Sequence, residues 1–187
     1  MEKEEQELFI RPAASDDYDA VSALCDLRFG DGYLKREEFD EWRKNPELFL
    51  VMEDEGRFVG YVCFVPSSPE KMAEYIKFPV EDIIKDSGGR DVIHCRSTVL
   101  YPEYEHKGIM RVLWTHILEK VKDMGYRVAY GPAWKYNDFV PMDHLLTSFG
   151  FEKIADRENL WYDDETYTCI VCGGRCSCPA VIYRLFL

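Results

Sequence analysis

Val99-Leu-Tyr-Pro-Glu-Tyr-Glu-His-Lys-Gly-Ile-Met-Arg-Val-Leu113 reads as the end of a strand, a short turn and the start of a helix. Val99 and Leu100 close an apolar run, and Pro102 stops it because proline has no N–H to give to a ladder. Lys107-Gly108 supplies the turn. From there the apolar residues switch to helical spacing, at Ile109, Val112, Leu113, Ile117, Val121 and Met124. Gly125 then stands where a helix C′ glycine stands. The first amides of a helix have no internal partners and carry partial positive charge. A strand feeding a helix through a basic, glycine-containing turn therefore predicts an anion cradle. Two common cradles are excluded. A nucleotide-hydrolase phosphate loop needs two spaced glycines and a Lys-Ser/Thr pair, and a dinucleotide turn needs three spaced glycines; this stretch has Gly108 alone.

The 187 residues are enough for one sizeable core and predict a single domain over 1–187. No apolar run is long enough to span a bilayer. The start, Met1-Glu-Lys-Glu-Glu-Gln-Glu7, is acidic and lacks the basic-then-apolar order of a secretory leader. Together these predict a cytoplasmic protein with no membrane partner. A net charge of −12 disfavours nucleic acid, which wants a basic face. The same charge would draw in a cationic substrate such as an amine, or it serves solubility alone.

Around the opening stretch the chain reads as follows. Leu8 to Ala13 is a short strand, and Ser15-Asp16-Asp17 starts a helix that buries Ala20, Val21, Leu24, Cys25 and Leu27. Leu34 to Trp42 is a charged helix with Leu34, Phe39 and Trp42 inward. Leu48–Met52 and Phe58–Val65 form a hairpin about Asp54-Glu-Gly56; the second strand is apolar on both faces, as a covered central strand is. Residues 67–91 interrupt the pattern with two helical segments, Pro69–Ile76 and Val80–Ile84, read either as a flap or as a helical hairpin over a sheet face. Val92–Leu100 is the strand entering the opening stretch, with His94, Arg96, Thr98 and Leu100 on one face and Cys95, Ser97 and Val99 on the other. Tyr126–Tyr130 is the next strand, bent away by Gly131-Pro132. Val140–Phe149 is an apolar helix, and Phe151–Tyr162 with Ala180–Phe186 closes the domain as an antiparallel pair.

This order resembles the GNAT acyltransferase superfamily. Its acetyl-CoA loop is an apolar strand, Pro, an aromatic residue, then Gln/Arg-x-x-Gly-x-Gly/Ala opening a helix. Pro102, Tyr104, Lys107, Gly108 and Ile109 fit; Glu105 replaces Gln/Arg and Met110 replaces the small residue. The Ile10-Arg-Pro-Ala13 opening and the helix–Gly150-Phe151–strand block fit as well. The resemblance implies an α/β fold with a mixed, splayed central sheet and helices on both faces. It implies acetyl-CoA as co-substrate, held by Leu100, Tyr101, His106, Lys107, Gly108, Ile109, Met110, Arg111 and Asn137. Lys107 and Arg111 would meet phosphates, and the amide of Leu100 or Tyr101 would polarise the thioester. It also implies transfer to a small or peptidyl amine by direct attack in a ternary complex. The family's proton-donating Tyr stands four residues before the Gly, and Leu146 occupies that place here. Tyr136 is taken as the substitute acid, with Tyr104, His144 and Thr147 as alternatives, or the thiolate leaves unassisted. His94, at the spacing where histone-type members carry a catalytic Glu, is the candidate base or else a hydrogen-bonded strand histidine. Two other functions stay open: a catalytically silent acyl-CoA sensor, and a zinc-stapled interaction protein with a vestigial cleft. A homodimer is compatible with all three.

Four of the seven cysteines lie within ten residues, as Cys169-Ile-Val-Cys172-Gly-Gly-Arg-Cys176-Ser-Cys178. Two thiolate pairs about a Gly-Gly turn suit a structural zinc ion, at about 2.3 Å per bond. An iron–sulfur cluster, a redox pair and plain thiols are the alternatives. Cys25, Cys63 and Cys95 sit in apolar patterns and are expected in the core.

Overall fold

The computed structural model describes residues 8–187; the acidic start at 1–7 lies outside them. A seven-stranded mixed sheet runs in the order β1-β2-β3-β4-β5-β7-β6. Its strands are β1 (Leu8–Pro12), β2 (Phe49–Asp54), β3 (Arg57–Ser67), β4 (Val92–Leu100), β5 (Val128–Trp134), β6 (Glu152–Arg157) and β7 (Ala180–Phe186). The helices are α1 (Tyr18–Phe29), α2 (Arg36–Trp42), α3 (Pro69–Ile76), α4 (Val80–Ser87), α5 (Ile109–Asp123) and α6 (Asp143–Ser148).

Helices cover both faces of the sheet. On one, α5 buries Ile109, Leu113, Trp114, Ile117, Leu118 and Val121 against Val62, Phe64, Ile93 and Ala129, with Leu146 of α6 alongside. Val112 and Met124, read as inward from spacing, are half-exposed. On the other face, Val21, Leu24 and Cys25 of α1 and Phe39 and Trp42 of α2 pack on Phe49, Val51, Tyr61 and Cys63. The interruption at 67–91 is a helical hairpin: Met72, Ala73 and Ile76 of α3 and Ile83 of α4 cover Val92, Val128, Tyr130 and Ile182 on that same second face. A sheet buried on both sides is what the apolar double face of β3 required.

Two departures from the sequence reading shape the middle of the sheet. The β3–β4 register pairs Cys63 with Ser97 and Phe64 with Cys95, so Arg96 is the extra residue of a bulge. A bulge reverses the alternation beyond it. Arg96 therefore shares the α1–α2 side with Ser97, whose Oγ lies 2.6 Å from the buried Tyr61 hydroxyl. Thr98 turns to the α5 side, where it meets Met110 and Trp114. The second departure is β5, which runs to Trp134 instead of bending away at Gly131-Pro132. Lys135 N–H donates to Pro179 on the β7 side. By alternation along a strand, the nitrogen of Pro132 faces the opposite edge, toward β4, where no ladder bond is needed.

That edge is where the sheet opens. β4 and β5 pair in parallel only at Ile93↔Ala129 and His94↔Tyr130, although both strands continue for several residues. β5 is instead held on its far side by β7 along its whole length.

Candidate active site

The gap between β4 and β5 is a cavity of about 1210 Å³. Cys95, Thr98, Leu100, Gly131 and Ala133 line it from the two strands. One end is formed by the β4–α5 loop: Glu105, His106, Gly108, Ile109, Met110 and Arg111.

The loop has the construction of an anion seat. Gly108 takes φ of 79°, and a side chain there would meet nothing within 4 Å, so the backbone is open on that side. The Arg111 and Val112 amides donate to the Gly108 carbonyl. The five preceding amides, from His106 to Met110, make no hydrogen bond among the described residues. Five consecutive donors at a helix N-terminus form a site for a polyanion. The two residues that depart from the family pattern leave it open. The Glu105 carboxylate is turned to Arg28 of α1, at 2.5 Å. Met110 folds back onto β4, its Sδ accepting from Thr98 Oγ1 at 2.9 Å.

Backbone geometry separates the two amides proposed to polarise the thioester. The Tyr101 amide is already given to the Val59 carbonyl of β3, at 3.0 Å. Tyr101 thus drops out, and its side chain does not line the cavity. Successive residues of a strand point their N–H groups to opposite edges, so the Leu100 amide faces the gap, which Leu100 lines.

Other expected site residues are placed elsewhere. Lys107 lies outside the lining, its Nζ 5.1 Å above the Tyr104 ring, whereas Arg111 lines the cavity next to Phe149. Asn137 is exposed at φ of 46°, in the tight turn closed by Tyr136 and Phe139. Tyr136 stacks on Trp134 at 5.7 Å and does not reach the cavity. His94 is buried outside the lining, 4.5 Å from the Tyr75 ring, and its Nε2 has no partner among the described residues. Burial, then the nearby Arg96 charge, pushes its pKa down to about 3. A base that weak cannot take a proton from an alkylammonium ion near neutrality. Leu146, where the resemblance implies the acid would stand, is buried and lines the cavity. Of the alternative acids, Tyr104 and His144 line the cavity and Thr147 does not. Tyr104 donates its proton to Asp54. Cys95 lines the cavity, and burial pushes its thiol well above the ordinary range.

The far end was not legible from spacing. Phe29, Tyr33, Tyr75, Trp134, Trp161 and Tyr167 converge there from α1 and its following loop, α3, β5 and the long β6–β7 connection. Asp138, Asp143 and Asp164 also line the cavity; Asp138 is paired with Lys135 and Asp143 with Lys153, and Asp164 accepts from the Thr166 amide. Arg96 braces this end from beneath, donating to Tyr33 Oη at 2.9 Å and to Glu38 of α2 at 2.8 Å. Compositional richness in aromatics over residues 160–169 was the one hint in the sequence.

The cysteines of the β6–β7 connection converge too. The sulfurs of Cys169, Cys172, Cys176 and Cys178 all lie within 4.8 Å of one another, with Cys172 exposed and the others buried. Tetrahedral bonds of about 2.3 Å place thiolates about 3.8 Å apart, so this donor set fits a zinc ion after a small contraction. The turn between the pairs is closed by Gly173 N–H to Cys169 O at 2.8 Å and Cys169 N–H to Gly174 O at 2.9 Å.

Among solved structures, the chain is similar in fold to Arabidopsis thaliana Naa50 in complex with the bisubstrate analogue CoA-Ac-MVNAL. That match has 12% identity and a TM-score of 0.69, over 96% of this chain and 99% of that one. An N-acetyltransferase from Staphylococcus aureus Mu50 matches at 19% identity and a TM-score of 0.66, over 96% and 98%. A Drosophila melanogaster polyamine N-acetyltransferase that catalyses formation of N-acetylagmatine matches at 12% identity and a TM-score of 0.67, over 97% and 100%. None of the curated proteins matches the sequence. The model of the acetyltransferase (GNAT) family matches residues 15–151, from the first turn before α1 to the start of β6. With the split sheet and the loop at its mouth, that match shows that the chain belongs to the GNAT acetyltransferase family.

Proposed function

We propose that the chain is an acetyl-CoA-dependent N-acetyltransferase in which a primary amine attacks the thioester directly, with both substrates bound. The carrying observation is the run of free amides from His106 to Met110 at one mouth of the gap between β4 and β5. Those donors and Arg111 hold the pyrophosphate, and the open edges of the two strands hold the pantetheine arm. Acetyl-CoA brings the activated acyl group, and the Leu100 amide donates to the carbonyl oxygen as negative charge builds there. The amine nitrogen forms the new C–N bond, the C–S bond breaks, and coenzyme A leaves as the thiolate or thiol. No acyl-enzyme is required. Cys95, the thiol in the gap, is held protonated by burial, and a protonated thiol is a poor nucleophile.

The amine must attack as its neutral form, so its proton is shed in the cleft before the C–N bond forms. His144 of α6 lines the cavity and is the side chain given this proton-accepting role. The acceptor is a small or peptidyl amine. The Asp164 carboxylate, between Trp161 and Tyr167 in the chain, and the net charge of −12 favour its ammonium form on approach. Relatives of the same fold act on an agmatine-type amine or hold a peptidyl analogue. The four converged thiols hold one structural zinc ion, and all seven unpaired cysteines suit a reducing, cytoplasmic setting. No helix among the described residues is long and apolar enough to cross a membrane.

Release of free coenzyme A across an amine panel tests this reading. Intersecting initial-rate lines support direct transfer, and parallel lines would indicate an acyl-enzyme. One observation favours a second reading, a silent acyl-CoA-binding protein: apolar Leu146 stands where the proton donor is expected. Tight acetyl-CoA binding with no coenzyme A release for any amine would select it.

A further inference from the structure

We propose that the four-cysteine knuckle is the outer wall of the acceptor compartment, so that its metal ion sets the affinity for the amine and leaves acetyl-CoA binding unchanged. This rests on the transferase and zinc readings above and goes beyond a merely local staple. Two of the ligands, Cys169 and Cys176, themselves line the cavity. The cluster packs on Trp134, Trp161 and Tyr167, which form the aromatic end. The segment that carries it, residues 158–179, has no regular helix or strand, so few backbone bonds hold its shape.

What it does have is a seam to the opposite wall. Thr168 N–H donates to Asp31 O at 3.0 Å, and Ile170 N–H donates to Phe29 O at 2.9 Å. Gly30 sits in that seam at φ of 124°, where an added Cβ would lie 1.8 Å from the Thr168 carbonyl oxygen. The knuckle therefore joins the α1–α2 connection to the β6–β7 connection across the amine end. Ion binding fixes Cys169 and Cys176, and through them the two backbone segments that make the seam. The anion seat at 106–110 belongs to a different loop, whose link to this wall is the Arg28–Glu105 pair on the helical side of the seam, and its amides make none of these contacts. The bound ion also has an electrostatic effect: four thiolates on Zn²⁺ carry a net charge of about −2, beside the compartment that receives an ammonium ion.

The test uses the full chain as purified, its metal content measured by elemental analysis, before and after removal with a chelator. Hydrogen exchange is followed at 29–33, 160–178 and 106–110. Calorimetry gives the acetyl-CoA Kd, and KM and kcat are read for the panel amine that turns over fastest. The expected result is near one zinc per chain. Stripping should accelerate exchange at both 29–33 and 160–178 with 106–110 unchanged, hold the Kd within about twofold, and raise the amine KM about tenfold or more against a small change in kcat. Gly30→Ala should keep the zinc and reproduce the faster exchange at the seam. Cys172→Ser, at the exposed ligand, should lose the zinc and behave as the stripped protein. Absence of zinc overturns the proposal. So does exchange that rises at 169–178 alone, or a Gly30→Ala protein indistinguishable from the parent. Failure of the zinc-loaded chain to bind acetyl-CoA would instead sink the transferase reading, and the exchange result would still decide whether the knuckle is a wall.

Discussion

Glu105→Gln is expected to tighten acetyl-CoA binding. Glu105 lines the loop end of the cavity, where the pyrophosphate is proposed to sit, and is paired with Arg28 at 2.5 Å. Its side chain and that of Arg28 are about one-third exposed, at 33% and 35%, so the pair is partly screened and worth about 0.2–1 kcal/mol to the fold. Toward the ligand, two effects of similar size act in one direction. A negative charge leaves the rim of a pyrophosphate seat, and the Arg28 guanidinium is released to face phosphate. Together they amount to about 1 kcal/mol, which is about a fivefold lower Kd. Arg28→Gln should move the Kd the other way, by loss of the cation and by release of the Glu105 carboxylate. The double variant should return near the parent. Calorimetric titration with acetyl-CoA at low and at physiological salt reads the effect, which should shrink as the Debye length falls from about 30 Å to about 8 Å. A Glu105→Gln protein that binds more weakly, or a pair of single variants that leave the Kd unmoved, would refute a phosphate seat on this loop.

Three further outcomes are expected. His94 refuses a proton in the folded chain down to about pH 3, against an ordinary value of 6.5. The unfolded chain therefore gains protons as pH falls through 6.5, and stability should drop by about 2 kcal/mol between pH 7 and pH 5 from this group alone. Urea titrations of the parent and His94→Gln at both pH values should show that slope flattened in the variant; equal slopes would deny it. Arg96→Ala removes both hydrogen bonds to Tyr33 and Glu38 and the stacking on Trp42, and should cost about 2–3 kcal/mol given that Glu38 is partly solvated; a thermal midpoint within error of the parent would contradict the bracing role. His144→Gln should lower kcat about a hundredfold with the acetyl-CoA Kd unchanged; an unaltered kcat would take the proton role away from His144.

The order of elements was readable because each rests on local periodicity. β3 showed an apolar double face, α5 a 3.6-residue stripe, and Gly108 the one glycine positioned to turn a strand into that helix. What was not readable depends on register and on convergence in space. A one-residue bulge at Arg96 reverses which side chains of β4 face the gap, and spacing cannot show an inserted residue. His94 matched a family spacing, yet its side chain belongs to the face beneath α3. Tyr101 and Leu100 look equivalent as donors in sequence, but the Tyr101 amide belongs to the Val59 carbonyl. Pro132 suggested a bend, whereas the missing N–H faces the unpaired edge and lets β5 continue. The aromatic end draws single residues from separate connections, and no window of sequence contains it. The cysteine cluster was legible as a donor set, but its place in the cavity wall was not, because that depends on bonds from Thr168 and Ile170 back to residues 29–31.

Transfer as proposed needs the amides of His106 to Met110 to seat a pyrophosphate while the Leu100 amide faces the thioester. Amide-resolved NMR of the full chain titrated with acetyl-CoA tests this most directly. The largest shifts, and protection from solvent exchange at saturation, should fall on His106, Lys107, Gly108, Ile109, Met110 and Leu100, with Tyr101 little changed because its N–H already belongs to β3. Saturable binding that leaves those six amides unmoved, or no binding at millimolar ligand, would contradict it.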